Sequence, residues 1–532
     1  MTDPPRPAAP KPDPAGPWLP QPPQSSAGRG FPVVDSGPPK SPRSSGRPVL
    51  IGILVVAVVV IGAYLLFLRT PGDQVSPTAA PTTVAAGSPT PTPASPSMPS
   101  PTPAASSSTG PATAAATAQP TVQPTVSEVP TPGSGGPSAT DLPIDPAIAA
   151  SIREVIAGIP ELRELDELAE VPFRFVGQEQ FEREFAAMFM AENPAQRVAA
   201  EDELLTRLGF LSPEQDLQEL ILSLYSSQVA AFYDPLTGAF TVIVREGFDF
   251  GADDRIIVAH EYTHALQDQH YDLEATQVND PAEGDQALAQ LALIEGDATA
   301  LMFDWATQNL SFEELLEVGG ADATQDQAIL DSMPPVLQRQ ITFPYFDGCS
   351  FVNTIRAGMG YDAVDAAYGD RPASTEQILH PEKYESGEPP IAVELPEIAT
   401  ALGTGWTDSY RQTMGEMLID VWVRDGVIPA ATLPCFSPAV SDPAAAGWGG
   451  DRLVNLDGPD GSWAVYWATV WDSSTDAVEF LAAAEAAMAD LSFSHEVGGA
   501  SDPTDPNQPL IVVRVASDAA TLAQLERVLD PG

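Results

Sequence analysis

The chain has 532 residues, of which 73 are acidic and 24 basic, for a formal net charge of −49. Residues 1–69 carry seven Lys/Arg and three Asp, and the remainder carries 17 basic against 70 acidic residues. So acidic a body excludes nucleic acid and anionic lipid as its partners, and favours a solvated surface with cationic substrates or divalent ions nearby.

Residues 1–47 are rich in Pro, Gly and Ser, the composition of a disordered tail. Val49–Leu68 is an unbroken apolar run, roughly 30 Å long as a helix and sufficient to cross a bilayer. Lys40, Arg43 and Arg47 precede it and only Arg69 closely follows. The positive-inside rule therefore places the tail in the cytoplasm and the rest outside the cell. Segment 48–69 reads as a single-pass transmembrane signal anchor in the cell membrane, too long and too far from the start for a cleaved signal peptide. Residues 70–140 are dominated by Pro, Thr, Ser and Ala, with Asp73 and Glu128 as their only charges. They read as a semi-extended stalk.

Order is expected from Asp141. Ile152, Val155, Ile156 and Ile159 recur at helical spacing, and Leu162, Leu165 and Leu168 continue it. A short strand at Pro172–Val176 and a helix through Phe181, Phe185 and Met188 follow. Ser212-Pro-Glu-Gln215 has the form of a helix start, running to about Ser226. Val229–Tyr233 and Phe240–Val244 flank Asp234-Pro-Leu-Thr-Gly238, a hairpin pattern.

The next stretch carries the chemistry. His260-Glu-Tyr-Thr-His264 is H-E-x-x-H, which five His and 73 acidic residues would produce by chance only roughly 0.006 times in this length. On a helix, positions i and i+4 share a face, so both imidazoles reach one metal ion, with Glu261 placed to act as general base on a bound water. Asp253 and Asp254 suit the N-terminus of that helix. Two residues compete to be the third ligand. His270 has metzincin-like spacing, but that pattern needs Gly where this chain has Gln267, because the helix must break there. Glu295, thirty-one residues after His264 on a second helix spanning roughly Gln286–Trp305, is the gluzincin solution and the one favoured here. Asp297 is a candidate to orient a ligand histidine, although thermolysin-like enzymes carry that Asp where this chain has Thr299.

Downstream, Ser311-Phe-Glu-Glu314 is a capping box, and an apolar helix is expected at Ser350–Gly358 after Phe343–Gly348. Ser374–Gln377 opens a short helix that Pro381 ends. His380 is the candidate hydrogen-bond donor to the oxyanion of a tetrahedral intermediate, with Tyr384 and Tyr233 behind it. Cys349 and Cys435 both lie beyond the anchor, where a disulfide is permitted, as is burial as small hydrophobes.

His260–His270, Glu295-Gly-Asp-Ala298, Phe343-Pro-Tyr…Gly348, Ser374–Tyr384 and Gly447-Trp-Gly-Gly-Asp-Arg452 together resemble a motif set of uncharacterised bacterial proteins. Those are regarded as membrane-anchored or secreted zinc metallopeptidases of gluzincin type. The resemblance implies metallopeptidase chemistry at His260, Glu261, His264 and Glu295, and names no substrate. After Thr404 the pattern reads as a helix through Met414, Met417, Leu418 and Trp422, a hairpin ending in Trp463–Trp471, a helix to Leu491, a strand at Leu510–Val515 and a last helix. Trp448, Trp463, Trp467 and Trp471 are read as core, and His495 has no assigned role.

The expectation is thus an α+β protein. A mainly helical zincin-like domain with a small sheet (141–403) precedes a C-terminal α+β subdomain (404–532), held outside the cell as a Zn²⁺-dependent peptidase acting on peptides or proteins. The alternatives are a catalytically inactive zincin-fold surface protein used for binding or display, and a structural zinc domain, which would need a fourth protein ligand.

Overall fold

The computed structural model describes residues 141–245, 248, 250–274, 278, 281–318, 328–424, 435, 440–501 and 509–529. The expected tail, transmembrane anchor and stalk lie outside the described residues, among which no helix is long and apolar enough to cross a membrane. The fold is α+β, as expected, with two separate sheets.

Helix α1 (Pro146–Ile156) is capped by the Asp145 side chain, and α2 (Ile159–Arg163) follows after a break. The periodicity expected to run on to Leu168 stops there, and Leu168 is exposed. Strand β1 (Phe173–Gly177) leads into α3 (Gln178–Glu192) and α4 (Ala195–Arg207). Helix α5 (Leu217–Gln228) begins later than Ser212 implies. Gln215 does bond back to the Ser212 backbone, but only across a turn, and Asp216 caps the helix by accepting the Glu219 N–H at 2.9 Å. Strands β2 (Ala231–Asp234) and β3 (Ala239–Val244) form the expected antiparallel hairpin, and β1 pairs parallel to β3 on its other side. The order β1-β3-β2 leaves β2 as an edge strand.

Helix α6 (Ala252–Tyr271) starts where Asp254 accepts the Gly251 N–H at 2.8 Å. Every residue from Ile256 to Gln267 is buried. A helix enclosed on all sides lies inside the domain, which explains why no amphipathic stripe marks it in the sequence. Helix α7 (Gly284–Asn309) packs on one side of it, and α8 (Phe312–Glu317) carries the expected capping box.

Helix α9 (Pro335–Met359) corrects the expectation of a helix from Ser350: it runs straight through Pro344. Helices α7 and α9 are parallel neighbours, since Gly348 meets Ala292 and Gly296 while Arg356 meets Asp304 further along. Short helices α10 (Tyr361–Gly369), α11 (Thr375–Leu379), α12 (Pro381–Ser386) and α13 (Ile398–Leu402) lead to the second sheet.

That sheet holds β4 (Thr407–Gln412), β5 (Trp448–Asp457), β6 (Trp463–Trp471), β7 (Ser494–Ser501) and β8 (Pro509–Ala516), all antiparallel, in the order β4-β5-β6-β8-β7. Helices α14 (Gly415–Val423), α15 (Ser474–Met488) and α16 (Ala519–Leu529) complete it. Strands β4 and β7 are additions to the sequence reading: β4 precedes a helix that starts only at Gly415, and His495 lies in β7. Side chains alternate along β6. Val465, Trp467 and Trp471 face the core shared with α14 and α15, while Ala464, Tyr466 and Ala468 face α13 and α16. Trp448, Trp467 and Trp471 are fully buried, as expected of core.

The larger core crosses residue 404 without interruption, joining Leu204, Phe343 and Phe351 to Met417, Trp467 and Phe480. Cys349 and Cys435 are disulfide-bonded across the same line, with Cα atoms 4.7 Å apart.

Candidate metal centre

His260, Glu261 and His264 share the buried interior of α6, and Glu295 comes from α7 to meet them. The two Nε2 atoms are 3.0 Å apart, and Glu295 Oε2 lies 3.1 Å from His260 Nε2 and 3.3 Å from His264 Nε2. Two nitrogens and an oxygen bonded to one tetrahedral ion at about 2.0–2.1 Å would stand about 3.3–3.4 Å apart. The donor set therefore fits a small divalent cation. Glu261 Oε1 is 3.8 Å from His260 Nε2, and the donor atoms of His260, Glu261 and His264 lie within 4.8 Å of one another.

Two further observations support a cation here. Glu261 Oε1, Glu295 Oε1 and His260 Nδ1 are buried with no hydrogen-bond partner among the described residues. Glu261, Glu295, Asp297 and Arg163 are each 0% exposed. Carboxylates so deeply buried need a partner, and a cation held between Glu295 and the two histidines, beside Glu261, would supply one.

In the protein without metal these groups perturb one another. Burial pushes the Glu261 carboxyl up to about 8, with Glu295 adding to the shift and His264 opposing it. For His264 burial acts downward, but the Glu295 and Glu261 carboxylates overcome it and raise the imidazole to about 9. His260, with burial dominant, is lowered. Glu295 is lowered although burial acts the other way, because both imidazoles stabilise its anion.

The surroundings hold each group in place. Glu261 Oε2 accepts the backbone N–H of Tyr233 at 2.7 Å, so the edge strand β2 fixes the candidate base. His264 Nδ1 is 2.8 Å from Gln267 Oε1, and Gln267 Nε2 donates to Asp297 Oδ2 at 2.9 Å and to the Ile294 carbonyl at 3.1 Å. Asp297 also accepts from Arg163 Nε at 2.8 Å and from the Tyr368 hydroxyl at 3.0 Å. The His260 ring lies against Tyr345 of α9, with centroids 5.9 Å apart.

His270 is not part of this group. Because α6 continues past Gln267, His270 points away and its Nε2 sits 2.8 Å from the Asp166 carbonyl. Asp297 does reach a candidate ligand histidine, His264, but through Gln267. His380, expected as oxyanion donor, is elsewhere engaged: its Nε2 lies 2.9 Å from Glu416 Oε1, and that contact holds its pKa above the usual imidazole value. Tyr384 donates to the Asp370 carbonyl and the Tyr233 hydroxyl to Asp268, so neither phenol is directed at the cluster by its hydrogen bond. Sequence reasoning missed Gln267, Arg163, Tyr345 and the Tyr233 main chain. Of these only Gln267 left a signal, one helical turn after His264.

Among known sequence families, one described as a domain of unknown function (DUF8575) matches residues 403–525, the C-terminal sheet and its helices. No curated protein and no solved structure matches the chain.

Proposed function

We propose that this chain is a membrane-anchored, zinc-dependent peptidase of gluzincin type whose folded body stands outside the cell. The observation that carries the reading is the convergence of His260, His264 and Glu295 within 3.3 Å, with the Glu261 carboxylate beside them. Zn²⁺ held by those three residues would supply Lewis acidity toward the scissile carbonyl and toward water. Glu261, fixed by Tyr233 N–H, would take the proton of the attacking water and return it to the leaving amine. The outer edge of β2, beside Glu261, is the natural place for an extended peptide to add as a strand.

One observation favours a second reading, a structural zinc site. All four residues are at most 1% exposed, and Glu261 Oε1 could serve as a fourth protein ligand. A single variant separates the two. Glu261→Gln in a peptidase keeps zinc and loses turnover of a peptide library or casein, whereas in a closed structural site it releases zinc. Substantial hydrolysis by Glu261→Gln would sink the peptidase assignment.

A further inference from the structure

The amide of Gln267 has a determined orientation. Its nitrogen faces a carboxylate oxygen of Asp297 and the Ile294 carbonyl, both of which only accept hydrogen bonds, so the NH₂ group must lie at that end. The amide oxygen then faces His264 Nδ1, which must be the donor and carry a proton. A neutral His264 is thereby fixed as the tautomer with a bare lone pair on Nε2, the atom that faces His260 and Glu295. Asp297 is itself held in place. Arg163 reaches both of its oxygens, at 2.8 and 3.1 Å, and Arg163 is tied in turn to Asp365 at 2.7 Å and lies over the Tyr361 ring. His260 has no counterpart to this support: its Nδ1 is buried with no partner among the described residues.

We infer that Gln267 is a positioning residue that sets the metal affinity of the site, by locking the His264 tautomer and coupling it to the buried Asp297–Arg163 pair. The inference rests on the metal-binding half of the proposed function and not on peptide hydrolysis. Partners of this kind orient a ligand imidazole and raise its basicity, and losing them typically weakens metal binding about 10–100-fold. The support is asymmetric: His264 is anchored through its Nδ1, whereas the far side of the His260 ring is met by packing on Tyr345 and its Nδ1 has no partner among the described residues.

The test uses the full-length chain, with Zn²⁺ affinity read by competition against a chromophoric chelator. Gln267→Met matches the side chain in length and removes all three of its hydrogen bonds; affinity should fall about 10–100-fold. Gln267→Glu keeps an acceptor for His264 Nδ1 and, when protonated beside Asp297, a donor in place of the NH₂ group; it should lose less affinity than Gln267→Met. Asp297→Asn should weaken binding in the wild-type background and add nothing in the Gln267→Met background, because Asp297 acts through Gln267. A purely structural role would lower the melting temperature of the metal-free chain and leave these affinities alone. Wild-type affinity in Gln267→Met, additive losses in the double variant, or a wild-type chain that binds no Zn²⁺ would each overturn the inference. A chain that shows the expected affinities yet cleaves no peptide would refute the peptidase reading and leave the inference standing.

Discussion

The tight glycine contact between α7 and α9 gives a sharp test of how the candidate metal centre is built. At Gly296 an added Cβ would lie 2.8 Å from the Cys349 nitrogen and closer still to the Gly348 carbonyl. At Gly348 it would lie 2.9 Å from the Ala292 carbonyl carbon, again with the oxygen nearer. The obstacles are backbone atoms of packed helices, so no side chain can swing aside and the helices must separate by about 1 Å. Overpacking of this kind costs about 1–3 kcal/mol, against which Gly→Ala within a helix returns about 0.5–1 kcal/mol. Glu295 adjoins Gly296, and its oxygen must stay near 3.1 Å from His260 Nε2 to share an ion with it. Gly348→Ala and Gly296→Ala should therefore lower the melting temperature and weaken Zn²⁺ binding by about tenfold or more, as expected for about 1.4 kcal/mol. Gly358→Ala is the control, because it lies in the same α9 with nothing within 4 Å of its Cβ and should melt at or above the wild-type temperature. If Gly348→Ala and Gly358→Ala melt alike and bind zinc alike, the helix contact does not position Glu295.

The disulfide should matter for stability more than for chemistry. It closes a loop of sequence separation 86, so Cys349→Ser should cost about 4–5 kcal/mol; a melting temperature within a degree of wild type would refute this. Glu376 offers a pH test away from the metal. Burial, only partly opposed by Lys383, raises its carboxyl to about 7. The folded state thus holds this proton more tightly than the unfolded chain, so the contribution to stability is complete below about 4.5 and is lost as pH rises through about 7. The melting temperature of Glu376→Gln relative to wild type should accordingly rise between pH 5 and pH 8, and a flat or falling difference would contradict the assignment.

What could be read in the sequence was what is local or chemically unusual. H-E-x-x-H is a matter of helical spacing, and Glu295 betrayed itself as an acid inside an apolar stretch. The hairpin was marked by its turn residues. The missing Gly at position 267 argued against a helix break there, and α6 does run on to Tyr271. What could not be read depends on distant contacts. Arg163 meets Asp297 across 134 residues, and Glu261 is held by a main-chain N–H that carries no sequence signal. Strands β4 and β7 are the two edges of their sheet, where polar residues replace the apolar alternation that reveals a strand. Pro344 misled because a proline commonly ends a helix, yet α9 accommodates it within a packed interior.

The region matching the domain of unknown function is joined to the helices of the candidate metal centre by buried polar groups, and this has a testable consequence. Asp451 is 3% exposed and accepts from four N–H donors: the Met414 and Gly415 backbones, which open α14, and the indoles of Trp448 and Trp467. Gly415, at φ 73°, is packed so tightly on Asp285 of α7 that a Cβ would lie 2.9 Å from the Asp285 Cβ and closer to its carboxyl group. Asp285 in turn holds Thr375 through its hydroxyl at 2.5 Å. Each Asp451 oxygen accepts from two donors, so Asp451→Asn would bring an NH₂ group against two N–H groups in the buried interior. Leaving buried donors unsatisfied costs about 1–3 kcal/mol each, so a total of at least about 3 kcal/mol is expected. Because Asp285 lies at the start of the helix that carries Glu295, the loss should reach the other side of residue 404. Thermal unfolding of Asp451→Asn should remain a single transition at lower temperature, with Zn²⁺ release coincident with it. A variant in which the C-terminal sheet melts first while zinc stays bound would show that the two parts are independent domains.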